Sequence, residues 1–331
     1  MNLQTTYLGL NLKNPLIAGA SPMTNTADDV RILEDAGAAA VVMHSLFEEQ
    51  IEAEAEALEH FLTAHTDSYA ESLDYFPSDQ GFGNIKAEQH LEELAKIKRS
   101  VEIPVIASVN AASPGGWVKY VRQFEEAGAD AIELNITYIP TDIATDAREV
   151  EQRYVDIVRD VCRATSLPVS VKMNAYFSAP AQMAAMLVAQ GASGLVLFDN
   201  PVRVDIDLDA LSPVQRANIT GSYALSETLR WNAILYDHIN ASLCASTGIH
   251  TGEDALKAIM SGSDAVQMAS ALLLHGASHV TTVLERMTRW MEEKEYDSIT
   301  QMRGSISLRH TDNPDAYERS SYMKALQSYR R

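Results

Sequence analysis

The sequence predicts a single α/β domain, a closed (β/α)8 barrel of the TIM type. Three observations predict it. Four blocks repeat one pattern: GAAAVVM from Gly37, GADAIEL from Gly128, GASGLVL from Gly191 and GSDAVQM from Gly262. Each reads as a glycine just past a helix, where the chain turns through positive φ, followed by an apolar strand buried on both faces. A second set interleaves with the first: PLIAGAS from Pro15, PVIASVN from Pro104, PVSVKMN from Pro168 and ASLCAST after Asn240. Proline is tolerated at the first residue of a strand. The interval between sets, about twenty residues, holds strand, loop, helix and turn.

Taken in order, strands fall near 15–21, 38–44, 103–110, 130–136, 168–173, 194–199, 241–247 and 264–270. Each apolar run is too short for a helix and lacks polar alternation. Helices fall near 27–36, 88–100, 115–127, 147–165, 179–190, 223–237, 252–261 and 276–293, as in WVKYVRQFEEA and GEDALKAIM. Eight alternating units fit a closed barrel better than an open doubly wound sheet. The barrel domain spans 1–295. Residues 46–87 form an insertion after the second strand, on the face where barrel active sites lie. It reads as a lid over the site, or equally as a solvated decoration or dimer contact. The basic, aromatic tail 296–331 wraps a surface or a partner subunit.

The 331 residues are 46% hydrophobic and 21% charged, values of a folded globular chain. The balance of 26 Lys plus Arg against 45 Asp plus Glu, a formal −19, repels nucleic-acid phosphates and anionic membranes. Cys162 and Cys244 form neither a disulfide framework nor a zinc pattern, which fits a reducing cytoplasm. The first residues lack a basic, then apolar, secretory pattern, and no stretch approaches the roughly 18 apolar residues of a membrane span.

In a barrel, chemistry collects at strand C-terminal ends. These read Ala20 and Ser21; His44 and Ser45; Asn110; Asn135 and Thr137; Lys172 and Asn174; Asp199 and Asn200; Ser246, Thr247 and Gly248; Ala269 and Ser270. Such a ring can hold a planar ligand rich in carbonyl and amide groups, although any one Asn can equally cap a turn. The seventh and eighth strands end in STGIHTGEDAL and QMASALL, a phosphate-binding pattern in which Gly248 admits close backbone approach. Lys172, within a strand, needs an anionic or carbonyl partner: an electron-rich cofactor ring, or a structural ion pair with Glu133. His44 hydrogen-bonds a ligand or caps its loop. No HEXXH spacing supports a metal, and nucleophile-elbow, Walker and dinucleotide motifs are absent.

These residues resemble the dihydroorotate dehydrogenase family, FMN-containing barrel enzymes, over nearly the whole chain. TTYLGLNLKNPLIAGAS is similar to the family's N-terminal hairpin and first strand, ADAIELNITYIP to its fourth strand and catalytic loop, and PVSVKM to its fifth strand with a flavin-contacting lysine. STGIHTGEDALKAIMSGSDAVQMASALL is similar to its flavin-phosphate region and YDSITQMRGSIS to its C-terminal segment. The resemblance implies FMN as cofactor. Lys172 would meet the pyrimidine edge of the flavin, and Ala20, Ser21 and Ser45 would line it. Gly248, Ala269 and Ser270 would bind the phosphate, with Thr247, Gly221 and Ser222 nearby. Asn110 and Asn135 would bond flavin or substrate, and His44 and Asn200 the substrate. The implied reaction oxidises a CH–CH bond, dihydroorotate to orotate in pyrimidine biosynthesis, by proton abstraction and hydride transfer to flavin N5. The implied protein is a soluble cytoplasmic homodimer that passes electrons to a small oxidant or a redox partner protein.

The chain departs from the family where the substrate would sit. The family's loop reads N-x-S-C-P-N or N-x-S-S-P-N. Here Asn135-Ile136-Thr137-Tyr138-Ile139-Pro140 puts Tyr138, next to Thr137, at the base position. The catalytic candidates are therefore Tyr138, Thr137 and Lys172. His44 replaces a lysine, and SLDYFPSDQGFGN stands where N-x-M-G-L-P-N would be. Alternatives are a flavoprotein acting on another dihydropyrimidine or enone, an electron-transfer subunit, and a barrel binding a sugar phosphate.

Overall fold

An antiparallel hairpin, β1 (Thr5–Tyr7) and β2 (Leu10–Leu12), leads into the first barrel strand, β3 (Leu16–Ala18). The computed structural model describes residues 1–47, 87–111, 117–199, 202–319 and 322–328. The remaining barrel strands are β4 (Ala40–Val42), β6 (Val105–Ala111), β7 (Ala131–Ile136), β8 (Val169–Met173), β9 (Gly194–Leu197), β12 (Ser242–Ala245) and β13 (Ala265–Met268). All pair in parallel. The pairing of β13 with β3 and of β4 with β6, Val41 opposite Val105, closes the ring. The eight-stranded parallel barrel expected from the repeats is the fold.

The helices match the expected periodicity. They are α1 (Ala27–Asp35), α2 (Ala87–Ser100), α3 (Trp117–Glu126), α4 (Ala147–Ala164), α5 (Pro180–Ala189), α6 (Leu225–Leu235) and α7 (Gly252–Ser261), numbered among the described residues. Thr26, Asp146 and Thr251 cap α1, α4 and α7 through their side-chain oxygens, which satisfy otherwise orphaned N–H groups. The expected eighth helix, 276–293, is instead preceded by a separate turn, α8 (Ser270–His275). Gly276, at φ +80°, separates it from α9 (His279–Glu293).

Residues 202–217 carry a second hairpin that the repeat count omits: β10 (Val202–Asp207) pairs with β11 (Ser212–Ala217) beyond the sixth barrel strand. The alternation of Val202, Val204 and Ile206 with charged residues is a period-2 signal. A short strand, β5 (Leu46–Phe47), pairs with the upper half of β6. Of the 46–87 insertion only the two ends are described, so the lid assignment lies outside the described residues. The first part of the tail packs on the chain's own barrel. Asn2 bridges to Ser298, and the Leu308 N–H donates to the Ala233 carbonyl at 3.0 Å.

Successive strand residues face opposite sides, and this alternation sorts two cores. Val105, Ala107 and Val109, like Val169, Val171 and Met173, pack outward against the helices. The inward set begins apolar, with Tyr7, Leu8 and Leu12 of the first hairpin plugging the lower end against Ile17, Ile106 and Ala131. It turns polar along each strand: Ser108 then Asn110 on β6, Glu133 then Asn135 on β7, Ser170 then Lys172 on β8. The polarity rises toward the strand C-terminal ends, where the cleft opens.

Candidate active site

Strand register assembles the upper layer. Asn110 lies opposite Asn135, and Asn135 opposite Lys172, so three neighbouring strands present these side chains side by side. Ser45 and Ser108 share a buried hydrogen bond of 2.8 Å. Lys172 is 8% exposed and Glu133 is fully buried, with the ammonium 2.8 Å from Glu133 Oε1. Gln267 Nε2, from β13, donates to the other carboxylate oxygen. The ion pair expected as one alternative for Lys172 is therefore formed, and the lysine also lines the cleft. Burial alone would push the ammonium down. The charges of Glu133 and Asp199 outweigh it and hold the group above its ordinary value.

An open cleft of about 180 Å³ lies at this end. Ala20, Ser21, Lys172, Thr247, Gly248, Ala269 and Ser270 line it together, as do Asp199, Ser246, Thr220, His250 and Gln267. Ser21 is fixed by a reciprocal cap with Thr24. Thr247 and Gly248 are consecutive left-handed residues, at φ +66° and +87°. A non-glycine there is strained, and Thr247 Oγ1 is tied to the Phe198 carbonyl at 2.7 Å. Gly248 is required for a reason other than ligand approach. A Cβ would sit 2.5 Å from the Leu225 backbone nitrogen.

The loop ends are cross-braced. Ser270 Oγ accepts from the Thr220 N–H at 3.2 Å. Asp254 Oδ2 accepts from the His250 and Thr251 N–H groups and from Ser222 Oγ, the last at 2.6 Å. Ser222 is thus committed to Asp254, and it and Gly221 lie beside the cleft-lining Thr220. Asn200 lies outside the described residues.

The Asn135–Pro140 loop is placed differently. Tyr154 Oη donates to the Ile136 carbonyl at 3.1 Å and accepts from Asn174 Nδ2 at 3.0 Å, which anchors the loop's root. Beyond it Thr137 is exposed. Tyr138 packs against the outer core, with the Arg153 guanidinium 4.0 Å from its ring centre. Neither residue is among the described residues lining the cleft. His44 stands beside His90 of α2, ring centroids 4.6 Å apart. His44 Nδ1 and both His90 nitrogens are buried without hydrogen-bond partners. Burial, with the neighbouring His44, pushes His90 down to about 3.

Sequence reasoning missed His90, His250, Thr220 and Gln267. Gln267 was detectable as the polar inward residue of AVQM on the eighth strand. His90 sits on an amphipathic helix and gave no signal. Among the described residues, no group of His, Cys, Asp or Glu can hold a metal ion, and no helix is long and apolar enough to cross a membrane.

Two features test a flavin mononucleotide against this cleft. The left-handed Thr247–Gly248 turn forms part of its wall, and His250 Nε2 and Gln267 Oε1, on residues that line it, are buried and unpartnered. Polar groups in need of partners, beside Lys172, fit a ligand with a phosphate and a carbonyl-rich ring.

Comparison with known proteins follows the same lines. The family model described as dihydroorotate dehydrogenase matches residues 2–291. The dihydroorotate dehydrogenase B (NAD(+)) catalytic subunit of Thermoplasma acidophilum is 27% identical over 93% of this chain and 99% of that protein. The subunit of the same name from Methanocaldococcus jannaschii is 23% identical over 88% of this chain and 94% of its own. The chloroplastic dihydropyrimidine dehydrogenase (NADP(+)) of Arabidopsis thaliana is 23% identical over 96% of this chain and 80% of its own length.

Proposed function

The chain belongs to the dihydroorotate dehydrogenase family and is an oxidoreductase of CH–CH donors, and on that premise we propose that it binds FMN in the cleft and oxidises dihydroorotate to orotate, a step of pyrimidine biosynthesis. The observation that carries this reading is the single cleft lined by Lys172 and by the Thr247–Gly248 and Ala269–Ser270 segments. When bound, FMN supplies the two-electron acceptor, taking hydride at N5. Gly248, Ala269 and Ser270, with Thr247, Gly221 and Ser222 around them, hold the phosphate. Ala20, Ser21 and Ser45 line the ring, and Lys172 places positive charge at its electron-rich edge.

Asn110 and Asn135 orient flavin and substrate, and His44 and Asn200 bind the substrate. Tyr138, seconded by Thr137, takes the proton from the substrate carbon. For that its ring leaves Arg153 and turns toward the cleft. Loop closure over a bound substrate is a common step in such enzymes. The test is anaerobic mixing of the FMN-loaded protein with dihydroorotate. Bleaching of the flavin supports the assignment, and an unchanged spectrum overturns the substrate. Protein that cannot take up FMN overturns the cofactor as well.

Tyr138 and His44 favour one second reading, oxidation of a different dihydropyrimidine. They replace the residues usual at those positions, and one relative is named a dihydropyrimidine dehydrogenase. A panel of reduced pyrimidines in the same assay separates the two. In either case the protein works in the cytoplasm as a homodimer and passes electrons to a small oxidant or a redox partner protein. Its unpaired cysteines support the compartment. The exposed Val204, Ile206, Leu208 and Leu211 of the β10–β11 hairpin support a subunit contact.

A further inference from the structure

Glu133 is a fully buried carboxylate that the proposed reaction does not use, and its reach into the cleft runs through Lys172. We propose that Glu133 is a positioning residue that keeps Lys172 protonated and aimed at the cleft, so that the lysine presents a full positive charge to the flavin across the working pH range. This rests on the flavin reading above.

The geometry is specific. Glu133 stands in the barrel interior one inward step below Asn135. One oxygen lies 2.8 Å from the Lys172 ammonium and the other receives Gln267 Nε2, so β8 and β13 fix the carboxylate from two sides. A buried ammonium without a counter-charge is costly and sheds its proton. The groups facing Lys172 can be named strand by strand. Glu133 comes from β7, Asp199 lies past the end of β9, and Cys244 comes from β12, with Tyr7 of the first hairpin beneath them. Burial pushes the Cys244 thiol and the Tyr7 phenol up, so both are neutral in the working pH range, and the pull of Cys244 on Lys172 ranks below those of Glu133 and Asp199. Asp199 faces the open cleft, where a ligand and water compete for it. Glu133 is walled off from solvent, and its interaction with Lys172 is therefore screened little. Gln267, held by the same carboxylate, is itself among the residues that line the cleft. One buried acid thus arranges two residues that line the cleft.

The experiment measures the midpoint potential of bound FMN against pH, by dye equilibration of the reconstituted full-length protein. In Glu133→Gln, Lys172 loses its buried counter-charge and titrates below the ordinary lysine value of about 10.4. The potential–pH curve then gains a segment in which reduction takes up one more proton than in wild type. Glu133→Asp, with a shorter reach, places that segment at higher pH. The double variant Glu133→Gln, Lys172→Met lacks it altogether. A Glu133→Gln curve that runs parallel to wild type overturns the proposal, even if the variant is less stable, because a purely structural pair would not move the proton count. If Glu133→Gln does not fold, a Glu133→Asp curve parallel to wild type overturns it. Wild-type protein that takes up no FMN overturns the flavin reading and this inference with it. FMN uptake with parallel curves sinks this inference alone.

Discussion

The Arg153 guanidinium lies 4.0 Å from the centre of the Tyr138 ring, so the phenol at the family's base position is held by a cation from α4. An arginine over an aromatic face contributes about 0.5–1 kcal/mol when partly exposed. This contact parks the ring on the outer side of its loop, while the loop's root stays anchored at Ile136. In the proposed mechanism the phenol leaves this contact to reach substrate, so the strength of the contact would set its availability.

Tyr138→Phe and Arg153→Ala should therefore act in opposite ways. Tyr138→Phe keeps the stacked ring and loses the hydroxyl. It should leave the melting temperature nearly unchanged and slow flavin reduction by dihydroorotate on the order of 100-fold or more, the usual loss of a general base. Arg153→Ala should cost at most about 1 kcal/mol of stability and leave reduction as fast or faster. Stopped-flow reduction rates decide the matter. A Tyr138→Phe protein reduced at the wild-type rate removes the phenol from the mechanism.

Gly248 and Gly276 form a matched pair for a stability measurement. Both have positive φ, +87° and +80°. A Cβ on Gly248 would meet the Leu225 nitrogen at 2.5 Å, whereas one on Gly276 meets nothing within 4 Å. Gly276→Ala should cost only the conformational strain, about 1–3 kcal/mol, of an extended ψ at positive φ that glycine alone adopts readily. Gly248→Ala should add a packing penalty of about 1–3 kcal/mol and weaken FMN retention as the turn shifts. Urea unfolding of both variants tests this, and equal losses would show that Leu225 yields at no cost.

The barrel was legible because its signals are local and repeated. A glycine after each of four helices and a proline before each of three strands punctuate the chain, and Gly37, Gly128, Gly191 and Gly262 all adopt positive φ. The lining of the cleft was legible for a related reason. Ala20, Lys172, Gly248 and Ser270 stand at strand ends, and strand ends converge in any closed barrel. What escaped depends on side-chain direction or on pairing across the fold. Tyr138 is one residue beyond Thr137, yet its ring turns outward to a helix fifteen residues on. His90 is buried by a helix whose apolar face says nothing of which strand end it meets. The β10–β11 hairpin interrupts a βα unit, where a repeat count has no place for it.

Tyr154 and Asn174 are expected to fix the Asn135–Pro140 loop in a graded way. Tyr154→Phe removes both the bond to the Ile136 carbonyl and the acceptor for Asn174, and it should cost about 1–3 kcal/mol because buried polar groups lose their partners. Asn174→Ala removes the bond to Tyr154 and the exposed one that Asn174 Oδ1 accepts from the Tyr176 N–H, and should cost about 1–2 kcal/mol. Both should slow reduction through a misplaced Tyr138 while FMN affinity holds. The combination of thermal melts, FMN titration and reduction rates checks the order. A Tyr154→Phe protein with native loop kinetics would show that the root of the loop needs no such anchor.

His90 should make the fold acid-sensitive. Its folded-state value is about 3, lowered chiefly by burial, against about 6.5 for an exposed histidine in the unfolded chain. Above the unfolded value both states hold the ring neutral, and the residue contributes nothing to the pH dependence. As pH falls below it, the unfolded chain takes up a proton that the folded chain refuses, so stability is lost steadily down to the folded value. The loss by pH 5 is on the order of 2 kcal/mol from this residue. His90→Leu should flatten that part of the curve while filling the same space against Phe124. Urea unfolding of both proteins at pH 7.5 and pH 5 gives the comparison directly. His44, lowered in the same direction by its own burial, remains in the variant and leaves a smaller residual slope. An equal drop in the two proteins would mean that His90 takes up its proton without leaving the core, and that the His44–His90 contact opens before the barrel does.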